Sequence, residues 1–173
     1  GYPIAALVGR ADLMRHARLV SGTFGGDCIG LAAADATLKR YQQGGVCEHM
    51  ARLGAALIAG YNDCAKVLGA PTRMIGQPPH PKIEWDEDDQ SPAGPTPGAY
   101  ETARRYGNRH RASLFFQEMV RRGHLIHPEG INLMLAHTDS DVTSFIDIAQ
   151  MAMHEVVKAM AQGPTAVRAA IQS

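Results

Sequence analysis

The residues best placed to do chemistry stand in SGTFGG, residues 21–26, where Ser21 and Thr23 carry hydroxyls among Gly22, Gly25 and Gly26. A helix-like run, DCIGLAAADATL, comes directly after. A turn that frees backbone N–H groups just before a helix makes an anion site, because unpaired amides and the positive end of the helix dipole point the same way. Thr23 adds a hydroxyl donor. The chemistry this suits is the holding of a phosphate. The same residues also make an ordinary tight turn, since they form neither a Walker motif nor GxGxxG, and no lysine stands where a nucleotide-binding loop needs one.

Other polar residues read more blandly. His127, Glu129 and His137 are polar candidates around HLIHPEGINLMLAH, each more readily a hydrogen-bonded scaffold residue than a ligand. His124 and His127 lack a third metal ligand at useful spacing. The acidic run from Glu84 to Asp89 lacks the spaced carboxylates of a calcium loop and reads as solvated chain. Lys39, Lys66, Lys82 and Lys158 read as surface amines.

Composition bounds the partners. Seventeen basic residues balance seventeen acidic ones, so no net field recruits nucleic acid or an anionic membrane surface. No apolar run approaches the length of a membrane span or resembles a signal peptide. Cys28, Cys47 and Cys64 show no CxxC spacing and leave an odd thiol, which points to a reduced cytoplasm. The hydrophobic fraction of 45% over 173 residues can bury a real core. The first residue is Gly1, not Met, which suggests a processed chain or a fragment.

Elements must position these residues. GYPIAALVGR reads as a buried strand, although it could equally open a buried helix. Residues 28–42 read as a helix of small residues, closed by QGG. From Val46 to Leu68, Met50, Leu53, Leu57, Tyr61, Cys64 and Leu68 recur at helical intervals, and Gly69 stops the run. Residues 71–98 are proline-rich, with TRMIG and KIEW the strand-like pieces. A helix with Ala112, Phe115, Phe116, Met119 and Val120 inward ends at Gly123. HLIHPEGINLMLAH reads as two short strands around a turn. A last helix carries Val142, Phe145, Ile146, Ala149, Met153, Val156 and Met160 on one stripe, with Thr138 and Asp141 as a capping box. After Gly163 the chain reads as a disordered tail.

Taken together, GYPIAALVGR and SGTFGGDCIGLAAADATL resemble the middle of class III pyridoxal-phosphate aminotransferases, most closely the glutamate-1-semialdehyde aminomutase branch. GVCEHMARLGAALIAGY is similar to the family's interdomain helix, while FFQEMVRRGHLIHP and LMLAHTDSDVTSFI resemble the pattern near its C-terminus. The resemblance implies an α/β fold: residues 1–45 would end the large domain of a fold-type I transferase, and residues 46–173 would supply the interdomain helix and a small C-terminal α+β domain. It implies pyridoxal 5'-phosphate as cofactor and Thr23, flanked by Gly22 and Phe24, as the contact to its phosphate. It further implies a homodimer sharing that phosphate site, and a small amino acid or amino-aldehyde substrate. The family's Schiff-base lysine and the aspartate that partners the pyridine nitrogen fall upstream of this segment. The expectation is therefore amino-group transfer or 1,2-amino migration by a complete enzyme of which this chain is the C-terminal part, with this chain alone inactive. The competing reading is a dimerisation or binding module that has lost the chemistry. Asp27 replaces an asparagine common in the family, and the segment 124–137 lacks the arginine that several relatives carry. Asp27 is expected to cap its helix.

Overall fold

A computed structural model of the chain describes residues 2, 4–16, 26–86, 110–128 and 130–172. They form two units, residues 1–47 and 48–173.

Among the described residues of the first unit the expected strand does not form. The described residues of 2–10 are irregular, and Tyr2, Ile4, Leu7 and Val8 are exposed. No strand lies beside this segment among the described residues, and an extended backbone without a neighbour has nothing to ladder with. A short helix, α1 (Ala11–Met14), comes next. The helix expected over 28–42 is present as α2 (Cys28–Gln42). Asp27 starts it, its Oδ2 accepting the Gly30 N–H at 2.7 Å, as a helix-capping residue should. Gly44 and Gly45, both at positive φ, end it.

The second unit holds one continuous core. Helix α3 (Val46–Leu68) buries Leu53, Leu57 and Tyr61 and half-buries Met50, Cys64 and Leu68, the stripe read from the sequence. Gly69 terminates it at positive φ, with the Ala70 N–H donating back to the Ala65 carbonyl. Two strands succeed it, β1 (Thr72–Gln77) and β2 (His80–Trp85), paired antiparallel with Thr72 opposite Trp85. Along β2 burial alternates, with Pro81, Ile83 and Trp85 inward. Glu84, read as part of a solvated acidic loop, instead lies in this strand and pairs with Arg73 and Lys82 across 3.1 and 2.8 Å. Residues 87–89 of that run lie outside the described residues.

Three helices complete the described part of the unit. Helix α4 (His110–Arg121) buries Ala112, Leu114, Phe115 and Met119. Val120, expected inward, is exposed, and Leu114 takes that place in the core. Phe115 sits at the centre, 5.4 Å from the Trp85 ring and 6.0 Å from the Tyr61 ring. Helix α5 (Asp139–Ala161) begins with the expected capping box: Thr138 Oγ1 accepts the Asp141 N–H, and the Asp141 carboxylate accepts the Thr138 N–H. It packs on α4.

The tail read as disordered is a helix, α6 (Pro164–Gln172). Proline at a first helical position has a suitable φ and lacks an N–H that would have no helical partner there. Val167 is buried, and Ala170 and Ile171 pack on the core, where α6 meets α4 and α5. Alternation of small and apolar residues in PTAVRAAIQ thus serves packing.

The two strands expected in 124–137 are likewise absent among the described residues. The chain does run beside β2, with the Ile131 N–H donating to the Pro81 carbonyl at 2.8 Å and the Leu133 N–H to the Pro79 carbonyl at 3.0 Å. Both partners are prolines, which accept but cannot donate, so the reciprocal bonds of an antiparallel ladder cannot be made.

Candidate functional site

The phosphate-turn residues Gly22, Thr23 and Phe24 lie outside the described residues. Immediately downstream, Gly26 has φ +78° and Asp27 opens α2. By taking the Gly30 N–H, Asp27 puts a carboxylate at the helix start and spends one of its donors.

A second set of polar residues gathers in the 48–173 unit. Helix α4 ends in a Schellman motif: the His124 N–H donates to the Met119 carbonyl at 2.9 Å and the Gly123 N–H to the Val120 carbonyl at 3.0 Å, with Gly123 at φ +86°. This turn delivers His124 to the wall of a cavity of about 430 Å³. The cavity lies between segment 124–134, Leu57 of α3 and the first turns of α5. The His124 ring stands edge-on to Phe145 at 6.1 Å, and its Nε2 is 3.5 Å from Ser144 Oγ. Its Nδ1 is buried with no hydrogen-bond partner among the described residues.

Of the sequence candidates, His127 and His137 both line this cavity, while Glu129 lies outside the described residues. His137 has a structural role besides. Its Nδ1 accepts the Met134 N–H at 3.0 Å, and its carbonyl oxygen accepts from His49 Nε2 at 2.9 Å. A bidentate pair between Arg52 and Asp139, 2.5 and 3.0 Å, ties α3 to the start of α5 nearby. That pairing holds the Asp139 carboxyl below its ordinary range. Hydrogen bonds from the Thr138 hydroxyl and then its N–H do the same for Asp141. On the far wall Asn132 Oδ1 accepts from His80 Nδ1 at 2.8 Å. Gly130 permits this approach, since a β-carbon there would lie 2.6 Å from the His80 ring.

Sequence reading weighed His124 only as a zinc ligand and passed over Asn132 and Ser144. The signal available was RRGH, a helix stop that sets the histidine just beyond its end.

Comparison with known proteins places these elements. Over 167 residues, 91% of this chain, the sequence is 29% identical to glutamate-1-semialdehyde 2,1-aminomutase 2 of Brevibacillus brevis. The chain is similar to glutamate-1-semialdehyde 2,1-aminomutases. The aminomutase of Laribacter hongkongensis gives the same identity over 90% of the chain, and that of Haloquadratum walsbyi 33% over 44%. The chain spans 37% of the length of the first two aminomutases. No family model matches it. Among solved structures, the pyridoxal-phosphate internal aldimine form of the FumI protein from Sphingopyxis sp. MTA144 superposes on 87% of the chain and 32% of its own, with a TM-score of 0.64 and 24% identity. The expected fold, a portion of a pyridoxal-phosphate-dependent transferase ending in a small α+β domain, is thereby borne out, as is the resemblance to the aminomutase branch.

Proposed function

We propose that this chain is the C-terminal part of a pyridoxal-phosphate-dependent enzyme that transfers or migrates an amino group on a small amino acid or amino-aldehyde. The observation that carries this is the aminomutase similarity along nine-tenths of the chain, together with the fold shared with FumI. Residues 1–45 would end the large domain, and residues 46–173 would form the interdomain helix and small domain. Thr23, with Gly22 and Phe24 beside it, would hold the cofactor phosphate through hydroxyl and backbone donors. At the described start of α2, Asp27 caps the helix by accepting the Gly30 N–H, the role expected of it beside such a turn. The site would be shared between two copies of the chain in a homodimer.

When bound, pyridoxal phosphate supplies an electron sink, provided that the protein supplies a lysine and a partner for the ring nitrogen. The lysines here are poor candidates. Lys39, Lys82 and Lys158 face Asp35, Glu84 and Glu155 at 2.6, 2.8 and 3.7 Å on the surface, and Lys66 is exposed on the last turn of α3. An amine so exposed and paired lacks the enclosed setting in which a lysine is activated as a nucleophile. The reading therefore assigns this chain cofactor anchoring and domain closure, and leaves the chemistry to residues outside it. Three unpaired thiols fit a reduced cytoplasm.

The test is the intact mass and visible absorption of the protein purified from its source. We expect a mass well above 18.6 kDa and the absorption of a pyridoxal imine that borohydride abolishes and Thr23→Ala weakens. A mass of 18.6 kDa with no such band after addition of pyridoxal phosphate overturns the reading.

A further inference from the structure

We propose that the turn from Met134 to His137 is a pH-sensitive latch on the cavity wall, shut while the His137 ring is neutral and released when the ring is protonated. The inference does not depend on the cofactor reading. Two hydrogen bonds close this turn: the His137 N–H donates to the Met134 carbonyl at 3.1 Å, and the Met134 N–H donates to His137 Nδ1 at 3.0 Å. The first is indifferent to pH. The second exists only with the neutral ring and its proton on Nε2, because an imidazolium carries two N–H donors and no acceptor. Protonation at Nδ1 therefore sets one N–H against another and frees the Met134 end of the turn.

Met134 and His137 both line the cavity of about 430 Å³, so the latch acts on its wall. The other end of the turn stays anchored to two helices. Thr138 caps α5, and the His137 carbonyl oxygen accepts from His49 Nε2 of α3 at 2.9 Å. Release thus loosens one side of the wall and leaves the fold in place. The groups facing the ring decide what receives it once charged. Asp139 is held by Arg52, whereas Asp141 lines the same cavity and has only its Oδ2 engaged by Thr138 among the described residues. Asp141 is therefore the counter-charge for an imidazolium at position 137. Neutral, the ring accepts from Met134; charged, it turns to Asp141. His49, His124 and His127 are the other histidines around this site.

NMR of the 15N-labelled 173-residue chain between about pH 8 and pH 5 tests this, with long-range 1H–15N spectra following each histidine ring. The Met134 amide should move with the midpoint of His137 Nδ1. Its protection, corrected for the intrinsic pH dependence of exchange, should fall about fivefold, the worth of one hydrogen bond. The Ala70 amide, bonded to the Ala65 carbonyl, should not change. Relaxation of the Leu57 methyls by dissolved oxygen, which reports access to the cavity, should rise below the same midpoint. His137→Asn supplies an acceptor that does not titrate and should abolish both responses. His49→Gln should leave them, and Asp141→Asn should move the midpoint to lower pH; these two variants decide the matter if His137→Asn does not fold. A Met134 amide that ignores the His137 midpoint overturns the proposal. So does a response that survives His137→Asn or vanishes in His49→Gln, a midpoint unmoved in Asp141→Asn, or unchanged access to Leu57.

Discussion

Gly54 and Pro78 lie so close that a β-carbon on the glycine would stand 1.8 Å from the Pro78 carbonyl oxygen. The hairpin turn is seated against α3 at this residue, and the obstacle is backbone, which cannot rotate away. Helix propensity alone would favour alanine over glycine by about 1 kcal/mol. Steric exclusion wins here, so Gly54→Ala should destabilise the fold by about 3 kcal/mol, read from the urea midpoint.

Asn62 and Met74 exchange two hydrogen bonds, the amide N–H to the Met74 carbonyl at 3.0 Å and the Met74 N–H to Asn62 Oδ1 at 2.8 Å. A helix side chain thus does for β1 what a neighbouring strand would do. Asn62→Ala strands both backbone groups of Met74 and should cost about 2 kcal/mol. Amide exchange at Met74 should quicken more than at Ile75.

Glu118 is a nearly buried carboxylate held between Arg121 and Arg122. Burial alone raises its pKa, but hydrogen bonds and charge from Arg122 and Arg121 outweigh this and leave the group below its ordinary value. A depressed folded-state pKa contributes stability that is present above the unfolded value and is lost as pH falls through the folded one. Glu118→Gln should therefore be less stable than the parent at neutral pH, with the gap narrowing in acid. A gap independent of pH would refute the ion-pair assignment.

Helix α6 seals the core through Val167, which is 4% exposed, and through Ile171. A chain stopping at Gly163 should lose its cooperative thermal transition. Val167→Ala should cost on the order of 2 kcal/mol, measured from the same transition.

Legibility in the sequence tracked how local the cause was. Periodicity found α3, α4 and α5 because the 3.6-residue spacing of Leu53, Leu57 and Tyr61, or of Val142, Phe145 and Ala149, is written in neighbouring residues, while small residues and the QGG stop marked α2. Caps were equally local, as Asp27 and Thr138 show. Features that depend on distant partners were missed. Apolar residues 2–8 suggested a strand that has no neighbour among the described residues. The alternation in HLIHPEGINLMLAH was real, yet the opposing Pro79 and Pro81 denied it a ladder. The tail lacked the length of a confident helix and was decided by packing of Val167 against a core assembled from elsewhere. His124 was likewise legible as a residue but not as part of a cavity, since Leu57 and Phe145 come from helices far apart in sequence.

The hairpin's two flanks also bear on how the protein behaves in a crowd. An open strand edge is a template on which another chain can build a sheet, and a two-stranded sheet has two such edges. Here Asn62 occupies the outer side of β1, while the outer side of β2 offers Pro79 and Pro81 and is overlaid by Ile131 and Leu133. At these described positions neither flank offers an incoming strand a free donor and acceptor pair. An added strand thus meets a hairpin already occupied at Met74 on one flank and at Pro79 and Pro81 on the other.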